Sequence, residues 1–195
     1  MGQVTIGVMR HWQVDYTFPK YIDSDGLVKT LQCYNAARLT PCSSRFCSKH
    51  WDVCYTSDSY RALATTAKTY NGATVKTRLL REIPVRPFFF RGIKLPITLW
   101  RFLFRMAWLL NYKTPETKSQ TQKRARMFLR KYCLANDSAN ILVITHGFYM
   151  LTLQRELIRE GFAGKISKNP ICGQIYVYKK MLPQKERYKC PAKFK

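Results

Sequence analysis

The sequence predicts an α/β fold, a three-layer sandwich with a mostly parallel central sheet and helices on both faces. Short apolar runs at residues 4–9, 53–57 and 141–145 read as buried strands. Between them, apolar residues recur at helical spacing, so strands alternate with helices. The 195 residues are 46% apolar and 14% aromatic, which is enough to bury a substantial core and excludes disorder over the whole chain.

Residues 4–9 form the first strand, which stops abruptly at Arg10-His11. Residues 13–50 are mixed, with a turn at Asp23-Ser24-Asp25-Gly26 and a helix over 26–37. The second strand, 53–57, is followed by a helix over 59–70, with Tyr60, Leu63, Ala64 and Ala67 on one face, and Asn71-Gly72 breaks the chain. A third strand is expected over 75–83, ending near Glu82. Residues 84–112 turn aromatic and basic, from Phe88-Phe89-Phe90-Arg91 to Trp108. Thr114-Pro115-Glu116 has the composition of a helix start, and that helix is expected to reach Cys133. The strand 141–145 leads through His146-Gly147 into a helix over 148–159, closed by Gly161. A last strand over 174–179 precedes a basic tail, 181–195. The expectation is one domain over 1–180, with 84–115 inserted in it.

In such sheets ligands bind beyond the carboxyl ends of the strands. That rule gathers Arg10 and His11, Arg61 at the start of the second helix, Glu82, and His146. Two imidazoles and two guanidiniums at one rim suit a dianion, and arginine offers phosphate oxygens paired donors. The composition agrees in sign: 34 Lys plus Arg against 11 Asp plus Glu give a formal charge of +23. No glycine-rich P-loop and no Gly-x-Ser-x-Gly elbow occurs, and Cys54, inside a strand, reads as a small apolar filler rather than a nucleophile.

Met9-Arg10-His11, Ser57-Asp58-Ser59-Tyr60-Arg61-Ala62-Leu63-Ala64-Thr65, Leu80-Arg81-Glu82 and Ile144-Thr145-His146-Gly147, in that order, resemble the motifs of the histidine phosphatase superfamily, also called phosphoglycerate mutase-like. The resemblance spans about residues 4–180. It implies that His11 is the nucleophile and carries a phosphohistidine. It implies that Arg10, Arg61 and His146 hold the phosphoryl oxygens, and that Glu82 protonates the leaving oxygen and then deprotonates water. No metal or other cofactor is implied. Where the family commonly has Asn, this chain has Thr17, whose hydroxyl is a candidate phosphate ligand; Asp58 and Ser59 replace a common Pro-Leu.

The chain is shorter than the mutases of the family, which favours a phosphomonoesterase of the histidine acid type acting on a small phosphorylated substrate; the alternative is a mutase-type phosphotransferase. The insertion is a candidate lid, with Arg86, Arg101 and Arg105 reaching the substrate. Its other reading is a core helix, because Trp100, Leu103, Phe104, Ala107 and Trp108 follow an amphipathic stripe. A reading of another class is a basic protein that binds nucleic acid or an anionic surface with a degenerate site. It is not favoured, since the cations are spread along the chain and no RRM, KH or zinc-finger signature occurs. Seven cysteines without C-x-x-C spacing suggest reduced thiols and a cytoplasmic location; a metal site from Cys42, Cys47 and His50 lacks a second close pair of ligands. No stretch reads as a transmembrane span, and the oligomeric state is not legible.

Overall fold

The apolar runs of the sequence meet side by side in one five-stranded sheet. A computed structural model describes residues 2–41, 50–87, 92–134 and 140–182. The elements begin with β1 (Gly2–Arg10), β2 (Gln13–Val14), β3 (Tyr21–Ile22), α1 (Ser24–Ala36) and β4 (Leu39–Thr40). Next come β5 (Val53–Ser57), α2 (Tyr60–Thr69), β6 (Thr74–Thr77) and a single 3-10 turn (Arg78–Leu80). The second half holds β7 (Leu95–Pro96), α3 (Ile97–Leu109), α4 (Lys118–Phe128) widening into a π turn (Leu129–Cys133), β8 (Asn140–Thr145), α5 (Gly147–Arg159) and β9 (Ile175–Leu182).

The sheet order is β6-β5-β8-β1-β9, with the first four strands parallel and β9 antiparallel to β1. Strand alternation sends side chains to two cores. Val4, Ile6 and Val8 of β1, Tyr55 of β5 and Ile141 and Val143 of β8 pack with α4 and α5. Met9, Cys54, Leu142 and Ile144 face the other way, against Ala62 of α2 and Trp51. Helices therefore cover both faces of a mostly parallel sheet. On the α2 side the indole of Trp51 lies so close to Gly7 that a Cβ built there would meet it at 2.4 Å, so β1 needs a glycine at this point. A third cluster joins α1 to α3 through Leu27, Ile22 and Trp100, whose Nε1–H donates to the Ile22 carbonyl at 2.9 Å.

Four sequence expectations shift. The third strand ends at Thr77, because Leu79 and Leu80 turn inward through the 3-10 turn rather than continuing the ladder. Asp23 is a helix cap, accepting from Gly26 N–H at 2.8 Å, so α1 begins at Ser24. The helix expected from Thr114 begins at Lys118, where Thr117 and Gln120 form a capping box. The last strand runs on to Leu182, taking the first residues of the expected tail into the sheet. Cys42, Cys47, the run from Phe88 to Arg91 and the tail beyond Leu182 lie outside the described residues. No helix among the described residues is long and apolar enough to cross a membrane.

Candidate active site

His11 follows directly on β1, and its backbone N–H extends the parallel ladder by donating to the Thr145 carbonyl at 2.9 Å. Trp12 N–H donates to Thr65 Oγ1 at 3.0 Å, fastening the same turn to α2. The ring is buried at 2% exposure. Its Nδ1 lies 2.7 Å from the Trp12 carbonyl, which can only accept, so Nδ1 carries the proton and Nε2 keeps its lone pair. Burial, then the Arg61 and Arg10 charges, push the pKa down to about 3 against the pull of the Trp12 hydrogen bond, and the imidazole is neutral.

His146 caps α5 at the end of β8, and its ring centroid is 5.2 Å from that of His11. Its Nε2 is 2.9 Å from Ser57 Oγ and 3.0 Å from Ser59 Oγ. Burial first, then the His11 and arginine charges, hold it well below the ordinary histidine pKa. Arg10 reaches across Gly147 and donates to the Pro170 carbonyl at 3.2 Å; a Cβ on Gly147 would lie 3.0 Å from its Nε, so the helix starts with the residue that leaves the guanidinium room. Arg61, in the first turn of α2, donates to Asn35 Oδ1 and lies over the Tyr34 ring at 4.8 Å. Arg10 Nε, Arg61 Nε and His146 Nδ1 are buried without a hydrogen-bond partner among the described residues. Two fixed charges and three unused polar atoms around a neutral imidazole are what an anion with several oxygens would satisfy.

Glu82 approaches from the 3-10 turn. Its Oε1 accepts from Tyr149 N–H at 2.8 Å and Ile83 N–H at 3.0 Å, and its Oε2 from Phe148 N–H at 3.1 Å. The carboxyl group thus sits on the amino end of α5. The segment that delivers it is braced: Arg124 donates to the Leu79 and Arg81 carbonyls, and Thr145 Oγ1 donates to the Leu80 carbonyl. Asp58 takes both ends of the Arg81 guanidinium at 2.6 Å. That hydrogen-bonded pair lowers the carboxyl pKa of Asp58.

A cavity of about 330 Å³ opens beside Arg10, Glu82 and Gly147. Tyr34, Phe18, Trp100, Phe104 and Phe148 give it aromatic walls, and Arg101, Arg105 and Lys168 stand around it. A model of the histidine phosphatase superfamily (branch 1) matches residues 36–169. The chain belongs to this superfamily. The match begins after the Arg10-His11 motif, which the fold itself brings to His146.

Solved structures share the histidine phosphatase fold. Phosphoglycerate mutase from Bacillus anthracis str. Sterne superposes with a TM-score of 0.58 at 15% identity, covering 92% of this chain and 89% of that one. Phosphoserine phosphatase from Entamoeba histolytica, in complex with 3-phosphoglyceric acid, superposes with a TM-score of 0.55 at 16% identity, covering 88% of this chain and 96% of that one. A search of the curated proteins finds no match.

Within this fold the residues picked from the sequence do not all converge. Arg10, His11, Arg61, His146 and Glu82 share one site. Arg101, Phe104 and Arg105 line the adjoining cavity, which the fully buried Trp100 backs, whereas Ala107 and Trp108 on the same helix are buried away from it; α3 is a core helix on one face and a cavity wall on the other. Arg86 is exposed and borders a smaller depression beside Lys113. Thr17 is exposed between β2 and β3, with no side-chain hydrogen bond to the histidine cluster. His50 is exposed, 3.7 Å from Asp52. Cys54 is buried, and burial pushes its thiol up to about 12. The sequence reading missed the role of Ser57 and Ser59 against His146. Ser59 stood in the motif only as a departure from the common residue, and its signal was a hydroxyl two positions from another at a strand end. Tyr34, Asn35 and Lys168 carried no local signal.

Proposed function

We propose that the protein is a phosphomonoesterase acting through a phosphohistidine at His11. The observation that carries this reading is the neutral, buried His11, with Nδ1–H tied to a carbonyl and Nε2 bare, among cations whose hydrogen-bonding capacity is incompletely used. In the first step Nε2 bonds to phosphorus as the ester P–O bond breaks, and protonated Glu82 gives its proton to the departing oxygen. The Trp12 carbonyl stabilises the charge left on the ring. In the second step Glu82 takes a proton from water, whose oxygen bonds to phosphorus as the P–N bond breaks, restoring neutral His11. Arg10 and Arg61 neutralise the equatorial oxygens in both transition states. If Nε2 of His146 accepts a serine hydroxyl proton, its Nδ1 carries a proton and donates to a third oxygen. Arg101 and Arg105 cover the leaving group from the insertion.

The test is incubation with radiolabelled acetyl phosphate and, separately, with an aryl phosphate. A label at His11 that survives base but not acid, release of inorganic phosphate, and loss of both in His11→Ala are expected. Absence of label and turnover in the wild type overturns the proposal. Phosphoryl transfer to a second hydroxy acid in place of water identifies a mutase instead.

A further inference from the structure

We infer that the ester consumed at this site is a small aryl-type phosphomonoester with a second anionic group at the far end of an apolar body. The inference rests on the phosphatase reading and concerns the half of the cavity that the phosphoryl group does not use. Part of the wall is apolar: Phe104, backed by the buried Trp100 on which it stacks at 5.7 Å and 28°, is joined by Leu31, Ile97 and Leu151. Removing apolar surface from water is favourable, so these walls favour a flat ring and give a short hydroxy acid nothing to bury.

Cations frame the same walls. The Arg101 guanidinium lies over the Phe18 ring at 5.2 Å and that of Arg105 over Phe148 at 5.8 Å. The ion pairs among the described residues use Asp52, Asp58, Glu116 and Glu156, and none engages Arg101, Arg105 or Lys168. The rings hold the two guanidiniums beside the cavity, four residues apart on α3, where a carboxylate or second phosphate can form charge-assisted hydrogen bonds with them. Glu82, the sole acid among the described residues that line the cavity, is engaged by three backbone N–H groups. A cavity of about 330 Å³ holds one or two fused rings, which sets the occupant as a small molecule rather than a chain segment.

The experiment compares kcat/KM for carboxynaphthyl phosphate, naphthyl phosphate, phosphoserine and phosphoglycerate. We expect naphthyl phosphate to exceed both small esters by about tenfold, and the added carboxylate to give about tenfold more. Replacing Arg101 and Arg105 together by Gln brings the carboxynaphthyl to naphthyl ratio towards unity, and Phe104→Ala lowers the naphthyl to phosphoserine ratio. Equal or better turnover of the small esters, or arginine variants that lower all four substrates alike, overturns the inference while leaving the phosphatase reading intact. Calorimetry on His11→Ala keeps the two separable: the same order of affinities without wild-type turnover supports the ligand class and sinks only the phosphatase reading. No preference in either binding or turnover overturns the inference.

Discussion

Glu82 accepts the backbone N–H of Tyr149 at 2.8 Å, which fixes the carboxylate on the first turn of the helix that His146 caps. One helix end therefore positions two of the five polar groups at the site. Glu82→Gln keeps the side-chain length but puts an amide nitrogen, which cannot accept, in place of one oxygen. The expected result is a fall in kcat of about a hundredfold, as for loss of a general acid, and a stability loss of about 1 kcal/mol from the weakened cap. Phosphate release and urea melts measure the two separately; wild-type kcat in this variant excludes Glu82 from proton transfer.

The depressed histidines predict an acid-sensitive fold. His11 is neutral down to about 3 when folded, whereas an unfolded histidine titrates near its ordinary value of 6.5. Between these values the unfolded chain binds a proton that the folded chain refuses. Stability is thus fully present above about pH 6.5 and falls as pH drops towards 3, by about 1.4 kcal/mol per pH unit for such a group. His146 is shifted in the same direction. Urea unfolding at about pH 7 and pH 5 should show this loss, and His11→Gln should show a shallower one. A stability that does not change over that range contradicts the neutral, buried imidazole.

Two serines compete for one nitrogen at His146. Either hydroxyl alone can hold the ring, so Ser57→Ala or Ser59→Ala is expected to lower kcat only about twofold, and the double variant about tenfold, the cost of one buried hydrogen bond. Steady-state kinetics on the three variants test this. Additive losses from the two single variants would mean that the serines do separate jobs.

Gly7→Ala is expected to destabilise the chain by about 1 to 3 kcal/mol, because the new methyl meets the Trp51 indole and the well-packed sheet face must shift. Trp51→Leu in the same chain should recover part of the loss. A thermal melt of Gly7→Ala that matches wild type would show that the indole moves freely.

Much of this arrangement was legible in the sequence, for identifiable reasons. The strand 53–57 ends where expected because Ser57 passes at once into the turn before α2, where its Oγ accepts from the Ser59 N–H, and residues 141–144 are apolar on both faces because both are covered. Local composition misled where two solutions look alike. Leu79 and Leu80 read as a strand, yet one 3-10 turn packs both against the core, Leu80 fully and Leu79 in part. Thr114-Pro115-Glu116 has the residues of a helix start, but Thr117 and Gln120 satisfy each other's backbone. Pairing was invisible where it is long-range and brief: Tyr21 and Ile22 meet Pro96 and Leu95 over two residues, and nothing in a short strand announces that β9 runs antiparallel. Arg10, His11 and His146 were legible because strand ends concentrate them, whereas Glu82 stands beyond the strand that was expected to deliver it; the cavity walls were not legible, since Phe18, Tyr34 and Phe104 come together only through the packing of the chain.

The strand β1 lies between β8 and β9, with Gly2 opposite Leu182 and Arg10 opposite Thr145. During synthesis His11 leaves the ribosome well before Thr145, its partner in the ladder. Until that partner arrives, the His11 backbone N–H lacks the carbonyl of Thr145, and the imidazole lacks the enclosure that holds its pKa down. The arrangement proposed for catalysis therefore comes together only with the closing of the sheet.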